Sequence, residues 1–234
     1  MNYSIIGYIL GWVLRIEAIF MLLPCITAVA YREQSGIAFL VVAVVCGILG
    51  LALSWRKPKN NMFYAREGFV VVALSWIVLS IFGAIPFVVN GEIPSFVDAL
   101  FETMSGFTTT GASILSDVER LSHCSLFWRS FTHWIGGMGV LVFILAVLPL
   151  TGGHNMYLMK TESPGPTVGK LVPRLRDTAF ILYAIYLAMT VLEIVLLLIA
   201  RMPAFDAITI AFGTAGTGGF GVRNSSVGEY SVLI

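Results

Sequence analysis

The sequence predicts an all-α membrane protein in which span, re-entrant loop and span form a unit that repeats in parallel, with two extra transmembrane helices ahead of the first unit. Three observations predict it. The 234 residues are 58% hydrophobic and 12% charged, with a mean hydropathy of +0.90, against about 25% charged in soluble domains. Five apolar runs are long enough to cross a bilayer. A short helical pattern followed by a Thr/Gly run occurs twice, 108 residues apart.

At about 1.5 Å rise per residue, roughly 20 apolar residues cover the ~30 Å hydrocarbon core. The runs that qualify are Ile5–Ala30, Ile37–Trp55, Phe69–Val89, Leu126–Leu150 and Thr178–Ala200. The first does not read as a cleaved signal peptide: it is too long, carries Arg15 and Glu17 midway, and lacks a small-residue cleavage site. Cytoplasmic loops accumulate Lys and Arg. Arg56, Lys57, Lys59 and Arg66, and likewise Lys160, Lys170, Arg174 and Arg176, are therefore expected on the cytoplasmic side. On the other side Arg32, Arg120, Arg129, Arg201 and Arg223 are outnumbered by Glu33, Glu92, Asp98, Glu102, Asp117, Glu119, Asp206 and Glu229. That excess describes an acidic outer mouth that gathers cations. A net charge of +1 argues against nucleic-acid binding. Cys25, Cys46 and Cys124 show no paired spacing, and His123, His133 and His154 no helical i,i+4 pair, which argues against a disulfide framework and a zinc site.

Between the third and fourth spans, Pro94 to Gly106 opens with the helix-starting residues Pro94 and Ser95 and places apolar residues at helical spacing. It is too short to cross a membrane. It reads as a half-helix that enters from outside and stops partway, which is tolerated where the following backbone lines a cavity. Shifting the chain by 108 places Asp98-Ala99 on Asp206-Ala207, Leu100 on Ile208, Ser105 on Gly213, Thr109 on Thr217, Gly111 on Gly219 and Ser113 on Gly221. Each copy follows an apolar span at the same offset, and two crossings separate the copies, so both loops face one side. The chain thus divides into a leading two-helix region, 1–60, a first unit, 61–155, and a second, 156–234.

After each half-helix comes a run of Thr and Gly: Thr108 to Ser113, and Thr217-Gly-Gly-Phe-Gly221. A cation entering a narrow pore exchanges its water shell for oxygens, and consecutive carbonyls supply them. Aligning such carbonyls needs φ values that glycine adopts without steric cost. One such run reads as a turn. Two at one offset, each behind a half-helix, read as halves of an ion filter, with Thr109, Thr110, Gly111 and Ala112 in the first copy and Thr217, Gly218, Gly219 and Phe220 in the second. The second is close to the Thr-Val-Gly-Tyr-Gly filter of tetrameric potassium channels.

Three local features, Phe107-Thr-Thr-Thr-Gly-Ala-Ser113, His133-Trp-Ile-Gly-Gly-Met-Gly-Val140 and Glu162-Ser-Pro-Gly-Pro-Thr167, resemble the Trk/Ktr/HKT superfamily of potassium transporters. The two leading spans resemble the Trk branch. The resemblance covers essentially the whole chain. It implies the pore-forming membrane subunit of a potassium uptake system in the bacterial cytoplasmic (inner) membrane, not an enzyme, with K⁺ as the transported ion and no bound cofactor. It also implies four repeats around one filter, a homodimer, and a cytosolic nucleotide-binding regulatory subunit. Gly111 and Gly219 take the filter-glycine positions, and glycine at both favours K⁺ over Na⁺. Two of four repeats are present and the chain stops 13 residues after Gly221, so an N-terminal part of a longer chain is expected. The alternative is a secondary carrier of a small solute with a midplane site at broken helices.

Gly136, Gly137 and Gly139 lie in an apolar run with no preceding strand, so close helix packing or a bend is expected of them, not a nucleotide loop. Arg15, Glu17 and Glu193 fall inside spans, where pairing with a neighbouring helix or snorkelling is expected. Arg129 and His133 are candidates to brace the filter from behind. Asp98 and Asp206 sit near half-helix starts, where a carboxylate complements the helix dipole.

Overall fold

The computed structural model describes residues 2–58, 65–139 and 175–230, and the regular structure among them is helical, with no strand. Helices α1 (Tyr3–Phe20) and α2 (Leu22–Tyr31) occupy the first apolar run. The run is therefore not one continuous helix but breaks at Met21. Pro24 explains the break, since it lacks an N–H and its ring crowds the carbonyl four residues back, at Phe20. Together Tyr3–Tyr31 still forms one stretch long and apolar enough to cross a membrane, as do Gly36–Ser54, Arg66–Val89 and Ala179–Ile199. These lie in α3 (Gly36–Ser54), α4 (Ala65–Val89) and α7 (Leu175–Ile199).

Two helices are short. Both α5 (Phe96–Phe107) and α8 (Ala204–Ala215) have 12 residues, about 18 Å at helical rise, roughly half a bilayer. The side chain of Ser95 caps α5 by accepting the Asp98 N–H at 3.4 Å, and Pro203 precedes α8. Between the two, a 3₁₀ turn at Val118–Arg120 leads into α6 (His123–Met138). The predicted fourth span begins in α6, while its residues 140–150 lie outside the described residues. So do Lys59, Lys160, Lys170, Arg174 and the Glu162–Thr167 motif.

Glycines let the helices touch. A Cβ on Gly11 of α1 would come within 2.9 Å of the Gly50 carbonyl of α3, and one on Gly50 within 2.7 Å of the Gly11 carbonyl. Small residues that bring two backbones together are how helices associate where the surrounding solvent is itself apolar. Helix α6 is the hub: it packs on α2, α5 and α8, while α5 also rests on α4 and α8 on α7. Trp128 of α6 is fully buried among Phe39, Phe107 and Phe131. Its indole N–H donates to the Gly83 carbonyl of α4 at 3.1 Å, so the largest side chain in the core leaves no orphan donor.

Candidate functional site

The two short helices end in the same way. Past α5, the Thr109 N–H donates to the Gly106 carbonyl at 3.0 Å and the Thr110 N–H to Ser105 at 2.9 Å; past α8, Thr217 donates to Thr214 at 2.8 Å and Gly218 to Gly213 at 2.9 Å. Every partner is displaced by the same 108 residues. The torsions repeat as well, with φ of +54° at Thr109 and +58° at Thr217, then +74° at Gly111 and +81° at Gly219. Glycine takes such angles at no cost, but a β-branched residue there is an outlier. Two threonines held left-handed at equivalent positions mark stored backbone strain of the kind that gathers at functional sites.

The turns meet. A Cβ on Gly111 would collide with the carbonyl of Gly218, so the backbones of the two segments lie in contact there. Helix α6 wedges behind both. A Cβ on Gly136 would strike the Phe107 carbonyl at the end of α5, and one on Gly137 would come within 2.7 Å of Gly216 at the end of α8. Gly216 and Gly218 in turn leave room for the His133 carbonyl and ring. Gly136 and Gly137 thus serve close packing, as expected of them, while Gly139 ends α6 at φ +67°. The His133 imidazole fills the space that a side chain at position 218 would need.

Phe220 is 3% exposed. Its ring stacks on His133 at 4.0 Å on one face and carries the Arg129 guanidinium at 3.6 Å from its centre. The Phe220 N–H donates to His133 Nδ1 at 3.4 Å, and Arg129 donates to the Gly221 carbonyl at 2.9 Å. Arg129 also pairs with Glu102 of α5 at 2.6 Å. Asn224 pins the segment after the second turn to the segment after the first. Its Oδ1 accepts the Val118 N–H at 2.8 Å, its amide donates to Asp117 at 2.9 Å, and its N–H donates to Glu119 at 3.1 Å. The amide of Asn224, aided by Arg120, holds the Asp117 carboxyl below its ordinary range.

All eight sequence-predicted site residues therefore lie on two irregular segments that touch at Gly111 and Gly218, with Thr110, Ala112, Thr217 and Gly219 exposed. Phe220 differs, in that its ring is packed away. The acidic outer mouth needs correction. Glu102 is 1% exposed, buried by its pairing with Arg129, and Asp206 is 6% exposed, held by the Tyr230 hydroxyl at 2.7 Å with Arg223 at 3.5 Å. Asp98 remains exposed, so the two equivalent aspartates have different surroundings. Among the residues inside spans, Arg15 donates to Ser54 and lies over Trp12 at 4.0 Å. Glu17 is 1% exposed, and its carboxylate oxygens have no hydrogen-bond partner among the described residues, against the expected pairing. Sequence reading missed Glu102 as a structural partner, Tyr186, whose hydroxyl donates to the Trp134 carbonyl at 3.0 Å, and Asn224. No local pattern marks these contacts, because each partner lies on a segment distant in sequence.

Four apolar stretches long enough to cross a membrane, packed around two short helices that stop at paired Thr/Gly turns, define an all-helical fold of the membrane-spanning class. The family model described as TrkH, cation transport protein, matches residues 35–234, and the chain belongs to that family. The Trk system potassium uptake protein TrkH of Salmonella typhimurium is 40% identical over 235 residues, covering 98% of this chain and 48% of its own length. TrkG of the same system in Escherichia coli is 35% identical over 233 residues, again with 98% and 48% covered. The crystal structure of the potassium transporter TrkH from Vibrio parahaemolyticus is similar with a TM-score of 0.81 and 32% identity, covering 99% of this chain and 47% of that one. The chain spans about half the length of the curated relatives it matches.

Proposed function

We propose that this chain forms part of the ion pathway of a potassium uptake transporter, in which the main chain of Thr109–Ala112 and Thr217–Phe220 coordinates dehydrated K⁺. The observation that carries the reading is the recurrence of one strained backbone: left-handed threonine, then left-handed glycine, twice, on segments in contact. Strain costs stability, and its repetition at one offset argues for a geometry needed by a ligand. Carbonyl oxygens replace the hydration shell of the ion, and the negative C-terminal ends of α5 and α8 face the same turns. A threonine hydroxyl adds a further oxygen where glycine would have been the cheaper residue. Phe220 contributes its carbonyl, since its ring is held between His133 and Arg129.

The names of the relatives, potassium uptake proteins of a Trk system, support potassium as the cargo. On this reading the chain belongs to a pore-forming subunit in the bacterial inner membrane, with residues 1–60 as leading helices and 61–155 and 156–234 as two pore units. The wider assembly would supply further units around one filter, a homodimeric partner, and a cytosolic nucleotide-binding subunit on the face bearing Arg56 and Lys57. In cells lacking other potassium uptake, Gly219→Ser in the intact transporter is expected to lower the ratio of K⁺ to Na⁺ uptake. An unchanged ratio overturns the assignment.

A further inference from the structure

The most heavily buried charges near the turns are not among the ion-coordinating residues. The side chains of Arg129 and Glu102 are 3% and 1% exposed and meet at 2.6 Å. Desolvating two charges is costly, and a well-packed apolar pair of similar volume would serve stability as well or better. The pair therefore calls for a role besides holding α5 to α6. We infer that Glu102 and Arg129 form a charge-neutral brace that fixes the exits of both turns and thereby sets discrimination between K⁺ and Na⁺, an inference that rests on the filter reading above.

The contacts define what the brace holds. Glu102 Oε1 accepts the Ser113 hydroxyl at 2.8 Å and Oε2 the Ile114 N–H at 3.0 Å, which anchors the strand leaving the first turn. Arg129 donates to the Gly221 carbonyl at 2.9 Å and covers the Phe220 ring at 3.6 Å, which anchors the strand leaving the second. One ion pair thus spans both. The position equivalent to Glu102 in the second unit is Ile210, so the second strand has no carboxylate of its own and is tied through Arg129. Both are positioning residues.

Charge matters as much as tethering. A lone guanidinium against Phe220 and Gly221 would oppose a cation held by Gly219 and Phe220, since little water screens a buried charge. Glu102 cancels it. Lysine cannot substitute, because a single ammonium lacks the planar fork that reaches a carboxylate and a carbonyl while lying flat on a ring. Rejecting the smaller ion requires oxygens that do not follow it inward, and a tethered exit resists that movement.

The test uses the intact transporter in cells without other potassium uptake, comparing K⁺ uptake with its inhibition by Na⁺ for Glu102→Gln, Glu102→Asp, Arg129→Lys and Gly219→Ser. The ratio of the two affinities does not depend on how much protein reaches the membrane. Glu102→Gln and Arg129→Lys are expected to lower it about tenfold, the effect of losing one charge-assisted hydrogen bond, with partial recovery in Glu102→Asp. Where flux is too small to read, K⁺ and Na⁺ protection of the solubilised protein against thermal unfolding gives the same ratio. A wild-type ratio in Arg129→Lys overturns the brace; if Gly219→Ser still lowers the ratio, the filter reading stands, and if it does not, both fall.

Discussion

The imidazole of His133 occupies the space that a Cβ on residue 218 would need. Helix α6 and the second Thr/Gly turn are thereby fitted to one another atom against atom, and the fit explains a glycine that turn geometry does not require, since Gly218 is not among the left-handed positions. Gly218→Val is expected to destabilise the solubilised protein by about 1–3 kcal/mol through overpacking. His133→Ala should restore part of that loss by vacating the space. Thermal unfolding of the two single variants and the double reads the coupling, and additive losses would show that ring and strand do not compete for the same volume.

Thr217→Gly separates stability from function. Glycine relieves a left-handed β-branched residue at φ +58°, a gain of up to about 1 kcal/mol. Potassium uptake is nevertheless expected to fall, because the hydroxyl oxygen leaves with the side chain. A variant at least as stable and equally active would show that the threonine serves no ion.

Gly111 and Gly219 share a torsion but not their surroundings. A Cβ on Gly111 strikes the Gly218 carbonyl, whereas one on Gly219 meets nothing within 4 Å. Gly111→Ala should lower both the amount of folded protein and transport; Gly219→Ala, which meets only the torsional strain at φ +81°, should fold better than Gly111→Ala and alter ion preference. Quantifying protein by immunoblot beside uptake distinguishes the two, and equal folding defects would contradict the difference in packing.

Glu33 ties the α2–α3 connection to the start of α6. Its carboxylate accepts the His123 and Cys124 N–H groups at 2.9 and 3.1 Å and the His123 ring nitrogen at 2.8 Å. Partial burial raises its pKa, but these hydrogen bonds outweigh burial and hold it below the ordinary 4.5. A depressed folded pKa means the stabilisation is complete above 4.5 and is lost as pH falls through the lower folded value. Melting temperature should therefore drop more steeply below pH 4.5 in the wild type than in Glu33→Gln, which is expected to be less stable at neutral pH. Parallel profiles would remove Glu33 from the cap.

Much of this architecture is legible in the residues. Apolar length locates the spans, and Pro94-Ser95 with the following apolar spacing places a helix at 94–106 where α5 runs Phe96–Phe107. The repeat is legible because Thr and Gly, which carry the torsions, are themselves repeated. The break at Met21 had a visible cause in Pro24, but hydropathy averages across it. Glu102 reads as an outer carboxylate until the fold brings Arg129 to it, because a charge alone says nothing of its partner. For the same reason the contact of His133 with Gly218 is invisible: it depends on how α6 passes behind a loop distant in sequence.

Two turns that form one filter hold one ion between them. Crystals of the intact transporter grown in Rb⁺, or soaked with Tl⁺, locate the heavier ion by anomalous scattering. A peak is expected within coordination distance of main-chain oxygens of both Thr109–Ala112 and Thr217–Phe220. A peak elsewhere along the pathway, with none between these strands, would contradict it.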